Sequence, residues 1–379
     1  MAAPLSGVLV LDLSRVLAGP FCTMMLGDLG ARVVKVEHPS DGDVTRAWGP
    51  PYHEASGLSA YYLSVNRNKE SIALDLASPK GAESVRRLAR HADVLVENFP
   101  PGGLEKFGLS LSKLRAENPR LITASITGFG RLGSDASAPG FDLLAQAGAG
   151  LMAITGTPDS GPTKAGVAVS DLFAGCYAAI GILAALTARE RTGKGVHVET
   201  DLFSATLASL INVAQSALLT GKEAERHGNA HPQIVPYRTF TASDGDFVLG
   251  VGTDRQFERL AQLVGRPEWS ADRRFATNDG RVVNRAVLEA ELAPIFLRET
   301  RETWVARCRG AGIPAGPVRG PLEALRSENA RALESVAECR GVSFVAPPVR
   351  IEGEPPPLRF PPGLDEDGER IRKEFGLPG

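Results

Sequence analysis

Val8-Leu9-Val10-Leu11-Asp12-Leu13 is a short apolar run, Pro20–Leu29 follows with a helical pattern that Gly30 is placed to stop, and Arg32-Val33-Val34-Lys35-Val36-Glu37 is a second apolar run. Near-continuous apolar runs separated by helical segments mark strands that are buried on both faces and joined by crossovers, which makes them parallel. The alternation continues along the first half. Ser71–Leu76 reads as a strand, and Ser78-Pro79 as the start of the amphipathic helix Gly81–Arg90, with the proline in its first turn. Asp93–Asn98 is the next strand, Phe99–Gly103 a loop, Leu111–Glu117 a helix and Leu121–Ile126 a further strand. The fold class is therefore α/β, with a Rossmann-like, doubly wound large domain on a parallel sheet.

From about Lys222 the pattern changes. Tyr237–Thr241 and Phe247–Val251, joined across Ser243-Asp244-Gly245-Asp246, read as a hairpin, and Arg255–Val264 and Arg285–Leu297 as helices. The expected division is a large domain over 1–221, a smaller α/β domain over 222–325, and a segment over 326–379 that returns to the large domain. Residues 346–362 hold seven of the 27 prolines and must be extended or turning. Asp365–Phe375 reads as a last helix.

A net charge of −2 over 379 residues lacks the basic excess that phosphate-backbone binding needs, so nucleic acid is excluded as a partner. Cys22, Cys176, Cys308 and Cys339 form no CxxC pair, which argues against a zinc site and a disulfide framework and suits a reducing cytoplasm. His227 and His231 are four apart, but Gly228 and Pro232 argue against a rigid helical pair, and no structural metal is expected. Asp12 and Arg15 interrupt the first apolar run, so it does not read as a signal peptide. The most lipid-like stretch, Leu172–Ala188, falls short of the ~20 residues that span a bilayer and reads as a buried core helix.

Gly128-Phe129-Gly130-Arg131-Leu132-Gly133 fits GxGxxG after a strand. A dinucleotide site needs a helix opening at the last glycine, whereas Ser134–Gly140 reads as a loop, so this is a glycine-rich turn and no NAD is expected. The absence of GxxxxGK[ST] argues against ATP-driven thioester synthesis, and the absence of GxSxG against an α/β-hydrolase thioesterase.

Asp171 stands in Val169-Ser170-Asp171-Leu172-Phe173-Ala174-Gly175, directly before the apolar helix. Helix capping, worth about 1 kcal/mol, is one reading. The other is a nucleophile. A helix apolar on every face belongs inside the protein, and its N-terminal dipole and free N–H groups favour an ionised carboxylate against the desolvation that opposes it.

The chain resembles the class III CoA-transferases (CaiB/BaiF type). The likeness runs through Leu11-Asp12-Leu13-Ser14-Arg15-Val16-Leu17-Ala18-Gly19-Pro20, Gly27-Asp28-Leu29-Gly30-Ala31, Asn66-Arg67-Asn68-Lys69, Pro101-Gly102, Gly128-Phe129-Gly130 and Thr192-Gly193-Lys194-Gly195. Tyr61-Tyr62-Leu63-Ser64-Val65-Asn66 and Gly228-Asn229-Ala230-His231-Pro232-Gln233-Ile234-Val235-Pro236-Tyr237 resemble the succinate/glutarate–hydroxymethylglutarate branch.

The resemblance implies that Asp171 is the nucleophile and that coenzyme A, as acyl-CoA substrate, meets Arg15, Ala18, His38, Leu74, Asn98, Phe99 and Lys106. Arg15 and His38 replace a histidine and an arginine of the formyl-CoA-specific members, and Leu17 a glutamine, which points away from formyl and oxalate substrates. Lys106 stands where relatives use arginine. The implied function is transfer of CoA between an acyl-CoA, such as a dicarboxylic one, and a carboxylic acid through an aspartyl acyl-enzyme, by a cytoplasmic, interlocked homodimer that needs no metal, NAD, ATP or membrane.

Arg15, Arg46 and Arg67 are candidates for a distal carboxylate, and the N–H groups opening the 172–188 helix for an oxyanion hole. The 228–237 loop stands where, by the resemblance, a loop covers the active site; an ordinary polar connection between domains is its other reading. A 2-methylacyl-CoA racemase of the same fold is the alternative enzyme, weakened because Phe141 in Pro139-Gly140-Phe141-Asp142 stands where the racemase histidine would; core packing is its ordinary reading. A catalytically inactive CoA-binding protein is the alternative of another class.

Overall fold

The computed structural model describes residues 3–352 and 357–378. It divides into two compact units, one holding residues up to Leu151, Lys164–Lys222 and those from Asn329 onward, the other Met152–Thr163 and Glu223–Glu328. The smaller unit thus takes in 152–163, a segment the sequence reading assigned to the large domain.

The chain runs β1 (Leu9–Asp12), α1 (Ala18–Asp28), β2 (Arg32–Glu37), α2 (Ala60–Val65), β3 (Lys69–Ala73), α3 (Pro79–His91), β4 (Val94–Glu97), α4 (Leu111–Glu117) and β5 (Ile122–Thr127). Next come α5 (Asp142–Gly148), α6 (Leu151–Ile154), α7 (Val169–Thr192), β6 (His197–Asp201), α8 (Leu202–Ser209) and α9 (Ile211–Thr220). The six strands lie in the order β3-β2-β1-β4-β5-β6, every pairing parallel. Alternate residues of each strand feed opposite cores. Val10, Val33, Val94 and Val96 pack with α1 and α7, while Leu11, Val34 and Leu95 pack with α3 and α4. Both faces are covered, as near-continuous apolar strands require.

β3 begins earlier than the apolar run suggests, because Lys69 and Glu70 enter the strand buried, Lys69 on Asp12 and Glu70 on Arg32. Gly128–Gly133 opens into a loop, and the next helix begins only at Asp142. α7 departs from expectation. Ala174, Ala178, Ile182 and Ala185 are buried, but Phe173, Tyr177 and Ile180 are exposed at 39%, 43% and 61%, so the helix is apolar all round without being enclosed by this chain.

The smaller unit contains β7 (Tyr237–Ala242), β8 (Gly245–Gly250), α10 (Asp254–Leu263), α11 (Asn278–Val283), α12 (Arg285–Phe296), α13 (Arg301–Gly310), β9 (Ala315–Pro317) and α14 (Pro321–Leu325). The strands form an antiparallel sheet, β7-β8-β9, around an aromatic core of Phe240, Phe247, Phe296 and Trp304. The loop before β7 is pinned from two helices. Asn278 and Arg281 hold the backbone at Gln233 and Val235, and Arg285 donates to the carbonyls of His231 and Pro232.

The chain then forms α15 (Glu328–Ala332), the hairpin β10 (Val336–Cys339) and β11 (Val342–Val345), and α16 (Gly368–Glu374). Ile371 of α16 joins the large unit's α3–α4 core. Of the proline-rich stretch, 353–356 lie outside the described residues; 346–352 and 357–362 form neither helix nor strand.

Candidate functional site

The strand order reverses between β1 and β4, and in open α/β sheets ligands bind outside the carboxyl ends of the strands at such a point. A cavity of about 260 Å³ lies beside that point, over the carboxyl ends of β1, β2 and β3, lined by Arg15, His38, Leu74, Asp75 and Phe107. His38 and Leu74 directly follow β2 and β3, so the sheet itself delivers them to one place. Arg15 is exposed, with its guanidinium over the Phe99 ring at 5.0 Å, and Phe99 meets Phe107 edge to face at 6.2 Å. Lys106 is on the exposed helical turn Glu105–Phe107, next to the cavity-lining ring. Arg15, His38, Leu74, Phe99 and Lys106 are therefore gathered on one side.

The turn joining β1 to α1 is held from several sides. Asn98 accepts the Arg15 N–H at 2.8 Å and donates to the Arg15 carbonyl at 2.7 Å, so its side chain serves the backbone. Val16 has φ +69°, an uncommon conformation for a β-branched residue, and its N–H donates to Asp43 at 3.2 Å. Lys35 Nζ bridges the Ser14 carbonyl and Asp43, each at 2.9 Å. Below it, buried Asp12 accepts from Ser14, Thr23 and Lys69. Burial alone would raise the Asp12 carboxyl, but Lys69 and Lys35 outweigh it and hold it at about 2.

Ala18 begins α1 on the same turn, and three residues of chain keep it within about 11 Å of Arg15. Its backbone N–H favours the ionised form of Asp171. The approach of α7 to α1 depends on Gly175, where a Cβ would stand 2.7 Å from the Ala18 carbonyl and 3.1 Å from Phe21 Cδ1. Asp171 is not a cap: α7 starts at Val169, Ala168 is the capping residue, and Asp171 sits in the first turn. The partner that sequence reasoning missed is Asp142, at the start of α5. It accepts the Ser170 N–H at 2.9 Å and a bond from Gln146 Nε2 at 2.7 Å. Burial, reinforced by the Asp142 charge, pushes Asp171 up to about 7, with the Ala18 N–H pulling the other way. Desolvation thus outweighs the helix terminus, the reverse of the expected balance.

Tyr61, also missed, is raised to about 12 by burial and by the Asp171 and Asp142 charges, and its ring meets Trp48 at 5.1 Å. Only the quoted Tyr61-Tyr62 motif signals it in sequence.

Three expectations are corrected. Arg46 is committed to Glu37, with bonds at 2.8 and 2.7 Å, and Arg67 to Asp28 at 2.9 and 2.6 Å, so both support the fold rather than face a substrate. The N–H groups opening α7 are also taken, Ser170 by Asp142 and Leu172 by the Ala168 carbonyl; the donor at the carboxylate comes from α1. Phe141 is 61% exposed, so it is not packed in the core.

Residues 5–368 match CoA-transferase family III. The chain is 43% identical to the mouse (Mus musculus) succinyl-CoA:glutarate CoA-transferase over 94% of its own length and 84% of that protein. It is 41% identical to the acetyl-CoA:oxalate CoA-transferase of Acetobacter aceti, covering 99% of this chain and 96% of that one. The crystal structure of a CAIB/BAIF family protein from Brucella suis superposes with a TM-score of 0.91 at 43% identity, covering 99% of this chain and 100% of that one.

Proposed function

The chain belongs to CoA-transferase family III and is a CoA-transferase, and from this we propose that it moves CoA between a dicarboxylic acyl-CoA, such as succinyl-CoA, and a carboxylic acid through an acyl-enzyme on Asp171. The observation that carries the reading is the close approach of α7, one turn after Asp171, to the start of α1, where a Cβ on Gly175 would stand 2.7 Å from the Ala18 carbonyl, on the turn that also presents Arg15 to the cavity over the ends of β1, β2 and β3. CoA bound with its adenosine end against Arg15, His38, Leu74 and Phe99 would send its thioester along this turn toward Asp171. The mouse relative is named for succinyl-CoA and glutarate and the Acetobacter relative for acetyl-CoA and oxalate, so acetate and oxalate belong in any substrate panel.

In the proposed cycle the Asp171 carboxylate attacks the thioester carbonyl, the C–S bond breaks, and CoA leaves as thiolate, leaving a mixed anhydride on Asp171. The thiolate attacks the aspartyl carbonyl, giving an aspartyl-CoA thioester and releasing the first acid. An incoming carboxylate attacks that thioester and frees the thiolate again. The thiolate then takes the new acyl group and returns Asp171 as carboxylate. The Ala18 N–H is suited to stabilise the oxyanion formed on the aspartyl carbonyl. Arg15 is the remaining candidate for a distal carboxylate or a phosphate.

A homodimer, interlocked as the resemblance implies, is part of the proposal. It is supported by the exposed Phe173, Tyr177 and Ile180 of α7 and by Ile211, Leu218 and Leu219 of α9, exposed at 74%, 79% and 78%. Light scattering in solution tests it. A cytoplasmic location is proposed on the four free cysteines.

The reaction is tested by incubating the protein with succinyl-CoA and an acid panel, trapping with hydroxylamine and mapping the adduct by mass spectrometry. An Asp171 hydroxamate, lost with transfer in Asp171→Ala, is the expected result. Full transfer by Asp171→Ala would refute it.

A further inference from the structure

We propose that Asp142 is a positioning residue for the transfer: from the first turn of α5 it fixes the first turn of α7 and keeps a second negative charge beside Asp171, so that the nucleophile is held destabilised until it is acylated. The inference rests on Asp171 being the acylated group.

Asp142 is itself held. One carboxylate oxygen accepts the Ser170 N–H at 2.9 Å, and the other accepts Gln146 Nε2 at 2.7 Å. Gln146 is fully buried, and its Oε1 accepts the Ala165 N–H at 2.9 Å. Ser170, next to the nucleophile, is buried and receives the Thr206 hydroxyl of α8 at 2.7 Å. The carboxylate therefore cannot swing away from α7 without breaking bonds that bury polar groups.

The groups facing Asp171 are few. α5 brings Asp142, and α2 brings the Tyr61 hydroxyl, kept protonated by burial and the same two carboxylates. α1 brings the Ala18 N–H, the thiols of Cys22 on α1 and Cys176 on α7 act on each other rather than on Asp171, and α8 has no titratable side chain. Among the described residues no lysine, arginine or histidine acts on Asp171, which burial and Asp142 raise to about 7.

Acylation converts the Asp171 carboxylate into a neutral anhydride or thioester and removes the repulsion. Asp142 therefore disfavours the free carboxylate relative to the acyl-enzyme, and a more basic carboxylate is a stronger nucleophile. A mere cap would need only an oxygen acceptor for Ser170, which asparagine also supplies.

The test measures the Asp171 hydroxamate formed from succinyl-CoA between pH 5 and 9, in the native chain and in Asp142→Asn and Asp142→Ala. The native yield should rise with a midpoint near 7. In Asp142→Asn the midpoint should fall by roughly one pH unit, with a slower acylation rate at high pH. Asp142→Ala should shift likewise and also lower the melting temperature. An unmoved midpoint in Asp142→Asn overturns the inference and leaves capping. Absence of any Asp171 adduct in the native protein overturns the nucleophile itself, and the positioning role with it.

Discussion

Asn98 grips Arg15 by its backbone, its amide oxygen accepting the N–H at 2.8 Å and its amide nitrogen donating to the carbonyl at 2.7 Å. A side chain from the end of β4 thus fixes the turn leaving β1, across the point where the strand order reverses. The turn needs the grip because Val16 holds φ +69°. Asn98→Ala should release it and weaken acyl-CoA use about 30- to 150-fold in kcat/KM, from two hydrogen bonds of about 1–1.5 kcal/mol each. Asn98→Asp, which loses only the donor, should fall between. Kinetics and calorimetric titration with CoA check this, and unchanged CoA affinity in Asn98→Ala would show that the turn holds itself.

Gly175 sets the approach of α7 to α1, since a Cβ there would stand 2.7 Å from the Ala18 carbonyl and 3.1 Å from the Phe21 ring. Gly175→Ala must push the start of α1 outward and draw the Ala18 N–H off Asp171. We expect a loss of about 1–3 kcal/mol in stability and at least a roughly tenfold drop in kcat. The acid limb should move to higher pH, because the one group lowering the Asp171 carboxyl is withdrawn. A variant that keeps native kcat and pH profile would remove Gly175 from the account.

Strands and helices with unbroken local signals were legible. β2 and α4 have the bounds read from the sequence, and Gly30, at φ +98°, stops the first crossover as expected. β6 was not read, because His197-Val198-Glu199-Thr200-Asp201 is a half-exposed edge strand with no apolar run. The start of α7 was misplaced because Ser170-Asp171 imitates a cap, whereas the acid satisfying Ser170 comes from Asp142, far off in the chain. The same limit hid the roles of Arg46 and Arg67. A sequence displays a cation but not its partner, and both partners, Glu37 and Asp28, are set by the tertiary fold.

Lys69 and Asp12 form an ion pair at 3.1 Å with both side chains fully buried, beneath the turn that carries Arg15. Removing one partner of such a pair leaves an uncompensated charge. Lys69→Met should therefore destabilise the large unit by about 3–5 kcal/mol, visible as a lower urea midpoint at unchanged slope. Asp12→Asn with Lys69→Met should recover part of the loss, since neither charge then stands alone. A double variant as unstable as the sum of the two singles would contradict the pairing.

Asp171 should make the protein less stable where it is ionised. Its carboxyl titrates near 7 in the fold and near 3.8 when unperturbed, so between those values the folded chain keeps a proton that the unfolded chain has lost. Stability then falls as pH rises from about 4 to about 7 and stays low above it. The full shift corresponds to at most about 4 kcal/mol, less the relief that partial contact with water gives. Asp171→Asn removes the penalty while keeping size and polarity. It should melt a few degrees above the native protein at pH 8 and converge with it near pH 4, as followed by scanning calorimetry. Because the same substitution should abolish transfer, stability and activity would move in opposite directions at one atom group, as a carboxylate kept for chemistry rather than for folding requires. Equal melting temperatures at both pH values would mean that Asp171 is neither desolvated nor opposed by Asp142.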